Sequence, residues 1–322
     1  MLSLSTSFIS RSIADGRQLL DALGKYDIQG VELDCRLNRA QFEQIKDHIG
    51  TTRLRVDSLH NYCPFPALKP GTPPGGDYFK LSSLNTEERR LAVRWTTRTI
   101  EHANGLEAGA VVLHCGAVEM QSRCGDLYRM LRHGHKASPV FQDILTTDLE
   151  RRERLKGPHL DALLFSLDRL IPVAEKHGVI LGLENRNHYF ELPAKEELDL
   201  ILNAFKGAPV GYWHDTGHAH VFELLGILTQ QELLDTFGRY LVGVHLHDAR
   251  GLKDHLAPGT GDIDFTSLQP YLRDGRRLVI ELAPGTIQTD VQQAVDHIRA
   301  LGEFSETPEI SDFPLDLTQN FH

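Results

Sequence analysis

Short apolar runs alternate with amphipathic segments from one end of the chain to the other, and this alternation limits the fold more than any other feature. Strand-like runs lie at 2–8, 30–34, 55–60, 110–115, 179–185, 209–215, 241–248 and 278–283. Helix-like periodicity fills 11–25, 38–49, 86–107, 158–178, 195–205, 230–239 and 289–301. Strands separated by helices pair in parallel. Eight such units close into a single-domain (β/α)₈ (TIM) barrel over residues 1–302. A doubly wound open sheet is the alternative, but it calls for a glycine-rich phosphate turn after an early strand, and the sequence has none. The stretch 303–322 is acidic and interrupted by prolines, and we read it as a tail outside the barrel.

Composition narrows the partners. The chain of 322 residues is 41% hydrophobic and 24% charged, as expected of a soluble globular protein. It has no apolar run long enough for a membrane span and no leader-like N-terminus. Its four cysteines form no CxxC pair, so we expect a reducing, cytoplasmic setting. A net charge of −10 argues against duplex DNA as the main partner, because phosphate contacts supply most of that affinity. Two basic clusters, RMLRHGHK (129–136) and RRERLK (151–156), lie near Asp148, Glu150 and Glu153, and local pairing is their plainer reading. We expect a small carbohydrate-like substrate; homo-oligomerisation stays open.

Three segments are read as long loops: 61–85, 116–157 and 249–275. Each leaves the C-terminal end of a strand, where barrel enzymes carry their active sites. Segment 61–85 is rich in proline and glycine and is placed to cover the mouth.

The strand ends carry the chemistry. Six of them close on a group able to bind metal: His60, His114, Glu184, Asp215, His245 and Glu281. Strand alternation separates them from the apolar face that helices must cover. In LVIELA, Leu278 and Ile280 share one face while Val279 and Glu281 share the other. Buried carboxylates converging on one axis repel each other, and a divalent cation removes that conflict. Carboxylate and imidazole without thiolate suit Mn²⁺, Mg²⁺, Co²⁺ or Zn²⁺. By the same alternation Glu32 and Trp213 face inward, as a substrate contact or a buried structural carboxylate and as a stacking surface or core filler, respectively. Asn185 and Arg186 are placed to orient Glu184 or a substrate hydroxyl, His188 and His247 to contact substrate or support ligands, and Cys115 to pack as a core thiol.

Glu184 in GLENR, Asp215 and His218 in WHDTGH, His245 in HLHD, the stretch DHLAPGTGDIDF and Glu281 in VIELAP resemble the xylose-isomerase-like TIM-barrel superfamily, across nearly all of residues 2–301. That superfamily includes sugar isomerases and epimerases, inosose dehydratases and endonuclease-IV-type AP endonucleases. The epimerase-like branch implies one divalent metal, Mn²⁺ favoured, on Glu184, Asp215, His245 and Glu281. There the two glutamates pass a proton through a metal-stabilised enediolate, and His218 and His255 contact substrate oxygens. A keto-inositol-type dehydratase would use the same site. The endonuclease branch implies three zinc ions. His60 and His114 then serve a further metal, and His218 and His255 serve a third. That branch calls for an aspartate two residues before His255; this chain has Lys253, which leaves Asp254 or a substrate role for Lys253 to consider. A metal-binding barrel without catalysis is the remaining alternative.

Overall fold

The computed structural model describes residues 1–68, 72–272 and 275–302. The tail read at 303–322 lies outside them. Eight parallel strands close the barrel: β1 (Leu2–Ser5), β2 (Gly30–Leu33), β3 (Arg55–His60), β4 (Ala110–Leu113), β5 (Ile180–Glu184), β6 (Val210–Asp215), β7 (Leu241–Leu246) and β10 (Arg277–Ile280). Each pairs with its neighbours in chain order, and β10 closes on β1 with Ser3 beside Val279. A short antiparallel hairpin, β8 (Asp248–Arg250) and β9 (Lys253–Leu256), interrupts the pattern after β7.

Alternation sorts the side chains of each strand into two cores. Leu181, Leu183, Val111, Leu113, Leu278 and Ile280 belong to the large apolar layer shared with the helices. Ala110, Val112, Ile180, Trp213, Val242 and Val279 form a small separate cluster inside the barrel. Trp213 dominates it. Gly182 and Gly243 make room: a Cβ on Gly243 would lie 2.5 Å from the indole, and one on Gly182 2.8 Å. The fully buried ring therefore plugs the barrel below its mouth.

The helices begin where sequence chemistry says they should. Asp15, Asn38 and Asn85 cap α1 (Gly16–Leu23), α2 (Arg39–His48) and α3 (Thr86–Gly105), and Ser138 followed by a proline starts α5 (Pro139–His177). Two segments read as loops are structured, and 249–275 carries the β8–β9 hairpin and a short helix, Phe265–Leu268. The segment 116–157 is not a loop. It holds α4 (Cys124–Arg132) and the first half of α5, which runs on through Pro158. A proline costs a helix one hydrogen bond and suggested a start there. Packing overrides that local signal, because Phe141, Ile144 and Leu145 anchor the earlier turns in an apolar cluster with Leu127, Tyr189 and Val221. The basic residues of this region are largely paired. Arg151 lies 3.6 Å from Asp148, Lys156 2.7 Å from Glu153, and buried Arg152 2.8 Å from Glu197 of α6 (Lys195–Ala204).

Candidate metal centre at the barrel mouth

The inward positions at the C-terminal strand ends converge. Three groups of side chains offer ligand atoms that lie within 4.8 Å of one another. The inner group is Glu184, Asp215, His245 and Glu281, all buried. The outer group is His60, His114 and Glu184, so Glu184 belongs to both. A side group joins His218, His247 and His255.

Glu184 divides its two oxygens. Oε1 lies 2.7 Å from His245 Nδ1, and Oε2 lies 2.7 Å from His114 Nε2 and 3.9 Å from His60 Nε2. His245 Nδ1 is also 3.7 Å from Asp215 and 3.3 Å from Glu281. Asp215 has two duties. It caps α7 (Thr216–Leu225) by accepting the His218 N–H at 2.7 Å, and it faces the inner group. Asn185 holds its backbone, accepting the Asp215 N–H at 2.7 Å and donating to its carbonyl at 3.0 Å.

Each imidazole has a partner on the nitrogen turned away from the ligand set, as metal-binding histidines require. Glu32, fully buried, lies 3.2 Å from His245 Nε2 and accepts a hydrogen bond from Ser58 at 2.8 Å. His60 Nδ1 meets the Asn61 carbonyl at 3.1 Å, His114 Nδ1 meets Asp77 at 2.9 Å, and His255 Nδ1 meets Asp254 at 3.2 Å. His247 is held on both sides, by Asp215 at 2.9 Å and by the backbone N–H of His255 at 2.9 Å.

Charge in the cluster is balanced by coupling. Burial alone would raise the Glu184 carboxyl, but the imidazoles of His114 and His245 outweigh it and hold the group well below the ordinary carboxylate range. Burial likewise opposes a low value at Glu281, where His245 and His255 prevail. Burial and Arg186 would lower His114, yet Asp77 and Glu184 push it up to about 9. His255 also rises to about 9 despite burial, through Asp254 and Glu281. The raised imidazoles of His114, His245 and His255 and the lowered carboxyls of Glu184 and Glu281 thus favour opposite charges side by side. The donor set fits a divalent ion: hard carboxylates and borderline imidazoles, with no thiolate. Cys115 is a buried thiol raised to about 12, first by burial.

A cavity of about 300 Å³ opens above the groups. It is lined in part by His60, His114, Glu184, Arg186, His218, His255 and Glu281. Three sequence expectations change here. Trp213 is core filler, with no face toward the cavity, because the residue two positions below a strand end lies one layer down in the barrel. Glu32 sits behind His245 rather than against the cavity, so its carboxylate serves an imidazole. Lys253 is exposed at the start of β9 and does not line the cavity, whereas His255, whose φ of 55° breaks the extended run, does. Asp254 reaches His255 rather than a shared ligand position.

Sequence reasoning missed Asp77, Glu191 and Asp248. Asp248, fully buried, accepts backbone N–H groups from Ala249, Gly259, Gly261 and Ile263 and so winds the loop after the hairpin around itself. Its adjacency to His247 in HLHD was the one available signal. Glu191 and Asp77 both meet Arg186, at 3.4 and 3.2 Å, and Arg186 donates to Glu184 at 3.0 Å and contacts His114 Nε2.

With this geometry in view, kinship can be read. A family model described as xylose isomerase-like TIM barrel matches residues 20–301. The chain belongs to that family. Among solved structures of similar fold is 3-keto-D-glucoside 4-epimerase of E. coli, at 17% identity and a TM-score of 0.65, covering 93% of this chain and 98% of that one. D-allulose 3-epimerase of Methylomonas sp., solved with D-allulose, has 12% identity and a TM-score of 0.67, covering 94% and 96%. An IolI protein solved with a bound zinc atom has 14% identity and a TM-score of 0.60, covering 93% and 95%. An uncharacterized protein of Methanocaldococcus jannaschii is 24% identical over 60% of this chain, and the match spans 56% of that relative's length. No helix among the described residues is long and apolar enough to cross a membrane.

Proposed function

We propose that this family member is a divalent-metal-dependent isomerase or epimerase acting on a sugar or a related keto-polyol. The observation that carries this is the inner group, Glu184, Asp215, His245 and Glu281, with two of its carboxylates lining a cavity sized for a small molecule. The solved neighbours named for sugar epimerases share the fold and support the substrate class.

Glu184, Asp215, His245 and Glu281 would hold the metal, with Mn²⁺ favoured and Mg²⁺, Co²⁺ and Zn²⁺ chemically suited. When bound, such a cation polarises a carbonyl and acidifies the adjacent C–H. Glu184 and Glu281 then act as the acid–base pair, one removing the proton and the other returning it. Glu32 keeps His245 turned so that Nδ1 faces the carboxylates. His218 and His255 line the cavity, where they can donate to substrate oxygens. Loss of a β-hydroxyl after proton removal would make the same site a dehydratase.

The test is metal content of protein purified without chelators, followed by a sugar and keto-polyol panel. One or two equivalents of metal, with turnover lost in both Glu184→Gln and Glu281→Gln while the fold survives, supports the reading. No metal, and no rise in melting temperature on adding it back, defeats it. A second reading, a three-metal phosphodiesterase, draws on the His218, His247 and His255 group, which clusters three imidazoles without the aspartate expected at position 253. Three zinc ions per chain and salt-sensitive binding to abasic DNA would favour it.

A further inference from the structure

The imidazoles of the metal centre differ in where their supporting acceptors come from. His245 leans on Glu32 of β2, and His60 on the backbone carbonyl of the next residue. His114 leans on Asp77, which belongs to none of the barrel strands. Asp77 lies in the segment after β3 and is half exposed, while the His114 side chain beneath it is only 12% exposed.

Two further contacts show that this part of the segment is seated on the site. A Cβ added to Gly76 would lie 2.9 Å from His60 Cε1 and 3.0 Å from His114 Nδ1, so a side chain here would crowd both imidazoles of the outer group. The second oxygen of Asp77 receives Arg186 at 3.2 Å. The nitrogen of His114 opposite Asp77 points at Glu184, at 2.7 Å. In neutral His114, Asp77 at Nδ1 and Arg186 at Nε2 both favour the tautomer that carries its proton on Nδ1 and leaves Nε2 facing the ligand set.

We propose that Asp77 is a positioning residue that acts through His114: it sets the cation affinity of the outer group, and it makes seating of residues 75–79 and cation binding depend on each other. The inference rests on the metal-centre reading above. Its physical basis is twofold. A carboxylate behind a ligating histidine orients the ring and raises its basicity. Coupling between two binding events is reciprocal, so whatever the seated segment contributes to the cation, the cation returns to the segment.

Zn²⁺ alone is the probe, titrated into chelator-stripped protein against a chromophoric competitor. We expect Asp77→Asn to weaken one bound equivalent by about 10–100-fold while leaving the tightest unchanged, and Asp77→Glu to restore part of the loss. In a His114→Ala background, Asp77→Asn should change nothing further. Zn²⁺ should slow amide hydrogen exchange at 75–79 in the parent protein and not in Asp77→Asn. Unaltered zinc affinities in Asp77→Asn, a loss that persists without His114, or exchange at 75–79 indifferent to zinc would overturn the proposal. A parent protein that binds no zinc would instead remove the metal centre on which it stands.

Discussion

The inner and outer groups share Glu184 but are built differently. The inner group is braced mainly by the strands and the residues that directly follow them: Glu32 behind His245, Trp213 beside it, Asn185 and His247 on Asp215, and Arg186 on Glu184. The outer group borrows one wall from the segment after β3, and the side group borrows its edge from the hairpin that carries Asp254 and His255. Strands hold a side chain by packing on several sides, whereas a loop holds it by one or two hydrogen bonds. The contrast teaches that one mouth can combine a rigid binding position with adjustable ones.

The sharpest way to break this division is at the residue that crosses it. Glu184→Gln should weaken cation binding in both groups and reduce turnover by about 10²–10⁴-fold, measured as metal per chain beside activity; retention of either equivalent at parental affinity would show that the groups do not share it. Trp213→Ala should cost about 3–5 kcal/mol of stability in denaturant unfolding and loosen the inner group through His245, whose ring lies 5.1 Å from the indole. A small loss would mean the barrel collapses onto the gap. Glu32→Gln keeps the volume and removes the charge behind His245, and we expect about a 10–100-fold weaker inner equivalent, with the outer one spared. If the outer equivalent weakens instead, the assignment of supports is reversed.

Proton competition sharpens the same contrast. His114 and His255 are held up to about 9 without a cation. Each must shed its proton to bind one, so affinity should rise with pH up to that value and fall as pH drops below it, by about tenfold per unit for each proton displaced. Removing the Asp77 charge lowers the proton affinity of His114, so Asp77→Asn should flatten this slope for the outer equivalent alone. A parallel slope in both proteins would disconnect Asp77 from the proton. Smallest of all, Lys253→Ala should leave metal content and melting temperature unchanged, because that side chain is exposed outside the cavity.

Much of this architecture is legible in the residues. The eight strands could be read because each alternates cleanly toward two different cores, and their inward polar ends followed from the same rule. Alternation gives direction but not depth. It placed Trp213 and Glu32 on the correct face, yet not one layer down or behind a ring. The helix through Pro158 was hidden because a strong local breaker is overridden by long-range packing of Phe141 and Leu145. Asp77 was hidden for a related reason: its partner His114 lies 37 positions away, and no periodicity links a loop to a strand end.

The plugged barrel has a consequence for traffic. With Trp213 filling the interior between Gly182 and Gly243, nothing passes through the barrel's axis, and the mouth is both entrance and exit. Whatever settles deepest must arrive first and depart last. A cation in the inner group would be trapped under any substrate above it, so chelators should strip the protein slowly while substrate is bound and quickly once it has left.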